Sequence, residues 1–147
     1  MAVAITRRGS GKKYPPAELR RIAEELLVAL NRSRSELSIA LIGDREMRPL
    51  NARYRKINRT TDVLSFLLGD QPKAGAEMLG DVVISVDQAR RQAKAHKATL
   101  KREMAALLIH GLLHLLGYDH ERSMRQAKIM RAIERQLYAR LCDGGFL

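Results

Sequence analysis

Residues 110–120 read His110-Gly-Leu-Leu-His114-Leu-Leu-Gly117-Tyr-Asp-His120, and three of the chain's four histidines fall inside them. On a helix, positions i and i+4 stack on adjacent turns of one face, with Cβ atoms roughly 5–6 Å apart. Two imidazole nitrogens so placed converge on one cation at about 2.0–2.1 Å each, the usual Zn–N distance. Gly117 lacks a Cβ and takes the positive φ that ends a helix and turns the chain. That turn returns His120 as a third ligand. Three protein ligands leave a fourth position for water, the arrangement of a catalytic rather than a structural zinc. The plainer reading is three histidines in or near a buried apolar helix. It suits a single core histidine better than three at ligand spacing with a glycine at the bend. His110, His114 and His120 are therefore the expected ligands of one Zn2+ ion per chain.

The spacing matches the HExxHxxGxxH pattern of metzincin proteases with one departure. The glutamate that acts there as general base is replaced by Gly111. Peptide hydrolysis then lacks its usual proton acceptor, so the motif reads as a zincin-type site put to other chemistry.

Around the motif, residues 105–116 are apolar on nearly all sides, which predicts a buried central helix capped by Thr99. The 147 residues are 46% apolar and 29% charged, suited to one domain with a sizeable core. The formal charge of +11 favours a polyanionic partner, nucleic acid before an anionic membrane surface. A single cysteine, Cys142, can form no internal disulfide and points to a reducing compartment. No signal peptide and no span of ~20 apolar residues is found, so a soluble, cytoplasmic protein is expected.

In chain order, residues 2–6 predict a short strand, and Arg7, Arg8, Lys12 and Lys13 a mobile basic loop. Leu19, Ile22, Leu26 and Leu30 recur at helical spacing after Pro15 and Pro16. Residues 37–42 read as an interior strand, followed by a helix to about Ile57 with Asp44 as its N-cap. Pro49 is costly deep in that helix, so an irregular first turn or a late start is expected. Leu50, Tyr54 and Ile57 form its core stripe, and Arg48, Asn51 and Arg55 a second stripe beside it. Six basic side chains and one acid lie between positions 45 and 59. Most belong on a solvated face; Arg48 and Arg55 border the buried stripe, where a planar guanidinium suits phosphate oxygens. Residues 61–68 (TDVLSFLL) predict a further strand on which Asp62 and Ser65 can face a site. Residues 69–80 read as a loop, 81–85 as another short strand, and Ser85 with Gln88 as a capping box for a helix to about Lys94. His96 reads as a surface residue rather than a fourth ligand. Met130, Ile133, Leu137 and Leu141 mark a last amphipathic helix.

Three blocks in this chain, Leu50-Asn51 through Tyr54-Arg55, TDVLSF at 61–66 and HGLLHLLGYDH at 110–120, resemble the YbeY family of bacterial single-strand endoribonucleases, also described as rRNA maturation factors. Leu79-Gly80-Asp81 with Ile84-Ser85 is a weaker fourth. The family often has a proline on either side of TDVLSF, where this chain has Thr60 and Leu67. The resemblance implies an α/β (α+β) fold, a mixed β-sheet with packed helices and a zincin-like central helix carrying the metal motif. It implies zinc on His110, His114 and His120, and an arginine important for activity at Arg55. It also implies action on the 3′ end of 16S rRNA and in ribosome quality control, with small-subunit proteins and a ribosome-assembly GTPase as partners.

The expected mechanism places His110 and Arg55 in the catalytic machinery, with Arg48, Arg55, Asp62 and Ser65 contacting substrate. Arg55 holds the scissile phosphate as charge builds. No general base is evident: zinc-bound hydroxide acting alone, help from Asp62, and attack by the RNA 2′-OH all stay open. Two rivals follow from other classes. One is a zinc-stabilised ribosome assembly factor that binds RNA without turnover. The other is a metalloprotease, disfavoured by Gly111 and by the basic surface.

Overall fold

The computed structural model describes residues 2–54, 63–66 and 78–147. Its elements are β1 (Ala2–Arg7), a 3-10 turn (Gly9–Lys13), α1 (Pro16–Ala29), β2 (Glu36–Ile42), α2 (Asp44–Tyr54), β3 (Val63–Phe66), β4 (Met78–Ser85), α3 (Val86–Ala95), α4 (Leu100–Leu115) and α5 (Met124–Asp143). The four strands form one sheet in the order β1-β2-β4-β3. β1, β2 and β4 run parallel, and β3 pairs antiparallel to β4. The expected mixed α/β architecture is present.

Strand alternation divides the side chains between two faces. Leu37, Ile39 and Leu41 of β2, Val82 and Ile84 of β4 and Val63 of β3 enter the main core with α1, α4 and α5. Ile42, Leu64 and Val83 point the other way, against Met47 of α2. Helix α4 packs against β3, β4, α1, α3 and α5. That position explains its sequence: Met104, Leu108, Leu112 and Leu113 are fully buried on different sides of it. Burying each such side chain stabilises the fold by about 1.5–3 kcal/mol. No helix among the described residues is long and apolar enough to cross a membrane.

Several local signals act as expected. Ser85 Oγ accepts the Gln88 N–H at 3.2 Å, and Thr99 Oγ1 accepts the Arg102 N–H at 3.2 Å. Others differ. The basic stretch after β1 is a 3-10 turn rather than a mobile loop, because Gly11 sits against β2, where a Cβ would come within 2.0 Å of the Leu41 carbonyl oxygen. Asp44 does not cap α2. Its carboxylate takes both guanidinium nitrogens of Arg91 on α3, at 2.7 and 2.8 Å, while Glu46 Oε1 accepts the Gly43 N–H at 2.9 Å. The helix runs from Asp44 through Pro49, leaving the Arg45 carbonyl without its usual N–H donor. β4 starts at Met78, inside the stretch expected to be a loop. Leu79 is the extra residue of a bulge opposite β2, and Gly80 adopts a φ of 140° there, so the glycine marks an irregular strand and not a connection. The expected helical residues 55–57, the strand ends 61–62 and 67–68, and the loop 69–77 lie outside the described residues.

Candidate metal centre

α4 ends where the motif bends. Leu116 is its C-cap, the Gly117 N–H donates to the His114 carbonyl at 3.0 Å, and the Tyr118 N–H donates to the Leu113 carbonyl at 3.0 Å. This is a Schellman closure, which requires a residue of positive φ after the cap. Gly117 has a φ of 97°, and a Cβ there would meet no atom within 4 Å. Conformation, not space, is the reason for glycine. The chain then returns through Tyr118 and Asp119 to His120, and Ser123 caps α5 by accepting the Gln126 N–H at 3.1 Å.

The three histidines meet. One ligand atom from each of His110, His114 and His120 lies within 4.8 Å of the others. Their ring centroids stand 4.7, 5.2 and 5.3 Å apart. His110 Nε2 and His114 Nε2 are 3.2 Å apart. Two nitrogens bound tetrahedrally at about 2.0–2.1 Å would be about 3.3–3.4 Å apart, so the residues present fit a zinc-sized cation. His110 Nδ1 lies 2.9 Å from Glu134 Oε2 on α5. A carboxylate only accepts, so Nδ1 carries the proton and the Nε2 lone pair faces its neighbours. That is the carboxylate–histidine pairing typical of metal ligands. Glu134 is the functional residue that the sequence did not reveal. Its partner is 24 positions away, and its place in an amphipathic helix resembles that of any surface glutamate.

Gly111 shows why the protease base is missing. A Cβ here would sit 2.8 Å from Val82 Cγ1, 3.2 Å from Ser65 Oγ and 3.3 Å from Val63 Cγ2. α4 is pressed onto β3 and β4 at this position, and a carboxylate has no room. The Ser65 hydroxyl donates to the Gly111 carbonyl at 3.0 Å, tying the edge strand to the helix that carries His110 and His114.

The other expected site residues are dispersed. Arg48 is exposed on α2, a helix that packs on the sheet face opposite α4. Arg55 and Asp62 lie outside the described residues. His96 is a surface residue as expected, its Nδ1 3.2 Å from Glu103 Oε2 on α4.

A mixed α/β fold whose central helix delivers two histidines, with a third from the following turn, defines a class of α/β proteins with a three-histidine cluster that could hold a metal ion. Comparison with known proteins narrows it. Residues 5–142 match the family model described as endoribonuclease YbeY. A Geobacter sulfurreducens protein of that name is 41% identical over all of both chains. A Myxococcus xanthus protein of that name is 56% identical over 78% of this chain, a match spanning 40% of that protein's length. The solution structure of a Thermotoga maritima protein superimposes with a TM-score of 0.64 at 26% identity, covering 92% of this chain and 86% of that one. This chain belongs to the endoribonuclease YbeY family.

Proposed function

We propose that this protein, as a single domain over residues 1–147, is a zinc-dependent endoribonuclease that cuts single-stranded RNA. In this reading it acts in the cytoplasm in 16S rRNA 3′-end maturation and ribosome quality control, alongside small-subunit proteins and an assembly GTPase. The observation that carries it is the cluster of His110, His114 and His120 with Glu134 behind His110, in a chain of the endoribonuclease family. When bound, a zinc ion supplies a Lewis acid for phosphate oxygens and lowers the pKa of a coordinated water toward ~7.

The chain's own residues do the rest. His110 and His114 hold a fixed spacing because α4 is buried on several sides. Glu134 keeps the His110 ring in one orientation and tautomer. Arg55 is assigned to the scissile phosphate, where a guanidinium offsets the growing charge. Asp62 and Ser65 are assigned to substrate contacts around it, and Arg48, on the opposite sheet face, to a substrate contact away from the scissile phosphate. A basic chain binding RNA in this way weakens steeply with salt.

A second reading, a zinc-stabilised RNA-binding assembly factor without turnover, draws support from Gly111, which leaves no carboxylate at the protease base position. One experiment separates the two readings: metal analysis coupled to cleavage of single-stranded RNA before and after chelation, with Arg55→Ala beside the wild type. Cleavage lost on chelation, restored by zinc and impaired in the variant supports the nuclease. Cleavage equal in both proteins shows a contaminant or a misplaced site. Products ending in a 2′,3′-cyclic phosphate would exclude direct attack by water.

A further inference from the structure

A groove of about 600 Å³ runs along the seam of α4 and α5, beginning at Glu134 and lined by Ala106, Ile109, Arg135, Tyr138 and Cys142. Glu134 belongs to both the groove and the metal centre, through its contact with His110 Nδ1 at 2.9 Å. Ala106 lies one turn before His110 on α4, and Tyr138 one turn after Glu134 on α5. The groove therefore borders the candidate metal centre at Glu134, while none of the three histidines lines it. At 3.6 residues per turn, Lys128, Arg131 and Arg135 share one flank of α5, next to the line of Glu134 and Tyr138. All three cations are exposed. Among the described residues none of the three is paired with a carboxylate. They cover about 10 Å of helix axis, enough for more than one phosphate of an extended strand.

We propose that this groove is a nucleobase subsite. In it, one unstacked base of the RNA near the scissile bond rests against Tyr138 and Ala106, while Lys128, Arg131 and Arg135 take the backbone phosphates. This inference rests on the ribonuclease reading. An apolar slot with an aromatic wall and a cationic rim fits a single strand, whose bases are free to leave the stack. A duplex offers it no free base. Carboxylates stand at both ends of the groove, Glu134 and Asp143, so phosphates are held on the cationic flank rather than in the slot itself.

Cys142, the chain's only cysteine, lines the groove and serves as a reporter. The full-length protein is treated with N-ethylmaleimide on ice, with or without a short single-stranded oligoribonucleotide, and alkylation is followed by mass spectrometry. Cleavage of the same RNA is read on a gel in parallel. RNA is expected to slow alkylation at least fivefold, and an equal concentration of duplex RNA to leave it near the free rate. Arg131→Ala combined with Arg135→Ala, two exposed positions, should weaken RNA binding about tenfold at low salt. It should also flatten the log K–log salt slope by roughly 0.7 per lost phosphate contact. Ala106→Phe, which fills the slot, should weaken binding while zinc content is unchanged. Alkylation at the free rate under saturating RNA, or wild-type affinity and salt slope in the double variant, overturns the subsite. Protection by a purified ribosomal protein with none from RNA overturns it too, by assigning the groove to a protein partner. Absence of cleavage on the gel would count against the nuclease reading alone, because Cys142 protection reports binding directly.

Discussion

The two halves of the metal centre are built by different means. His110 and His114 stand on a helix buried against two strands and three other helices, and their spacing follows from packing. His120 stands in an exposed turn, and its position follows from a few local devices: the positive φ of Gly117, the Schellman bonds and the Ser123 cap. The contrast teaches that damage to the two halves should look different. Disturbing the helix half should cost global stability and the metal together. Disturbing the turn half should cost metal affinity with a smaller loss of fold.

The sharpest way to break this contrast is at Gly111. Gly111→Ala puts a Cβ 2.8 Å from Val82 Cγ1 and should destabilise by about 1–3 kcal/mol in urea unfolding. Gly111→Glu, which restores the protease motif on paper, adds a carboxylate with no partner there. It should cost more than the alanine and yield no peptide hydrolysis. A stable Gly111→Glu protein that cleaves peptides would show that α4 is not seated on the sheet as described.

Glu134 comes next. Glu134→Gln retains the size but loses the carboxylate acceptor for His110 Nδ1–H, and should weaken zinc affinity about 10–100-fold in a chelator competition. Metal-free stability should change little, since both side chains are about 70% buried rather than sealed, with 30% and 28% exposure. Unchanged affinity would reduce the contact to a surface pairing.

On the turn half, Gly117→Ala should cost about 1–2 kcal/mol through backbone conformation alone, because no neighbour crowds the new Cβ. Zinc binding should fall with it while the melting of α4 and the sheet stays cooperative. A cost matching that of Gly111→Ala together with disrupted packing would erase the distinction between the halves.

How much of this was legible in the chain follows the same division. The histidine spacing, the bend at Gly117 and the caps at Ser85 and Thr99 are local, and local periodicity exposes them. The close seat of Gly111 on β3, the Glu134 contact and the placement of β3 beside β4 depend on elements distant in sequence, which no window reveals. Asp44 shows how a local rule loses to tertiary contact: a good N-cap residue was taken instead by Arg91, 47 positions away.

That pair supplies the smallest prediction. The hydrogen bond from Arg91 holds the Asp44 carboxyl below its ordinary value, with the Arg91 charge, Ser85 and Arg48 adding to the effect against partial burial. Its stabilisation is complete above the unfolded carboxylate range near ~3.9 and is lost as pH falls through the lowered folded value. Asp44→Asn should therefore remove part of the acid-side fall in stability. The neutral-pH cost should be no more than about 1 kcal/mol, because Arg91 is 54% exposed. An unchanged acid limb would remove Asp44 from the account.

The most direct test of the centre itself is zinc-edge X-ray absorption on the purified protein, with His110→Ala, His114→Ala and His120→Ala as comparisons. Three imidazole nitrogens at about 2.0–2.1 Å plus a light oxygen-type scatterer are expected, with one imidazole fewer in each variant. A sulfur shell, or a spectrum that the histidine substitutions leave unchanged, would contradict this coordination.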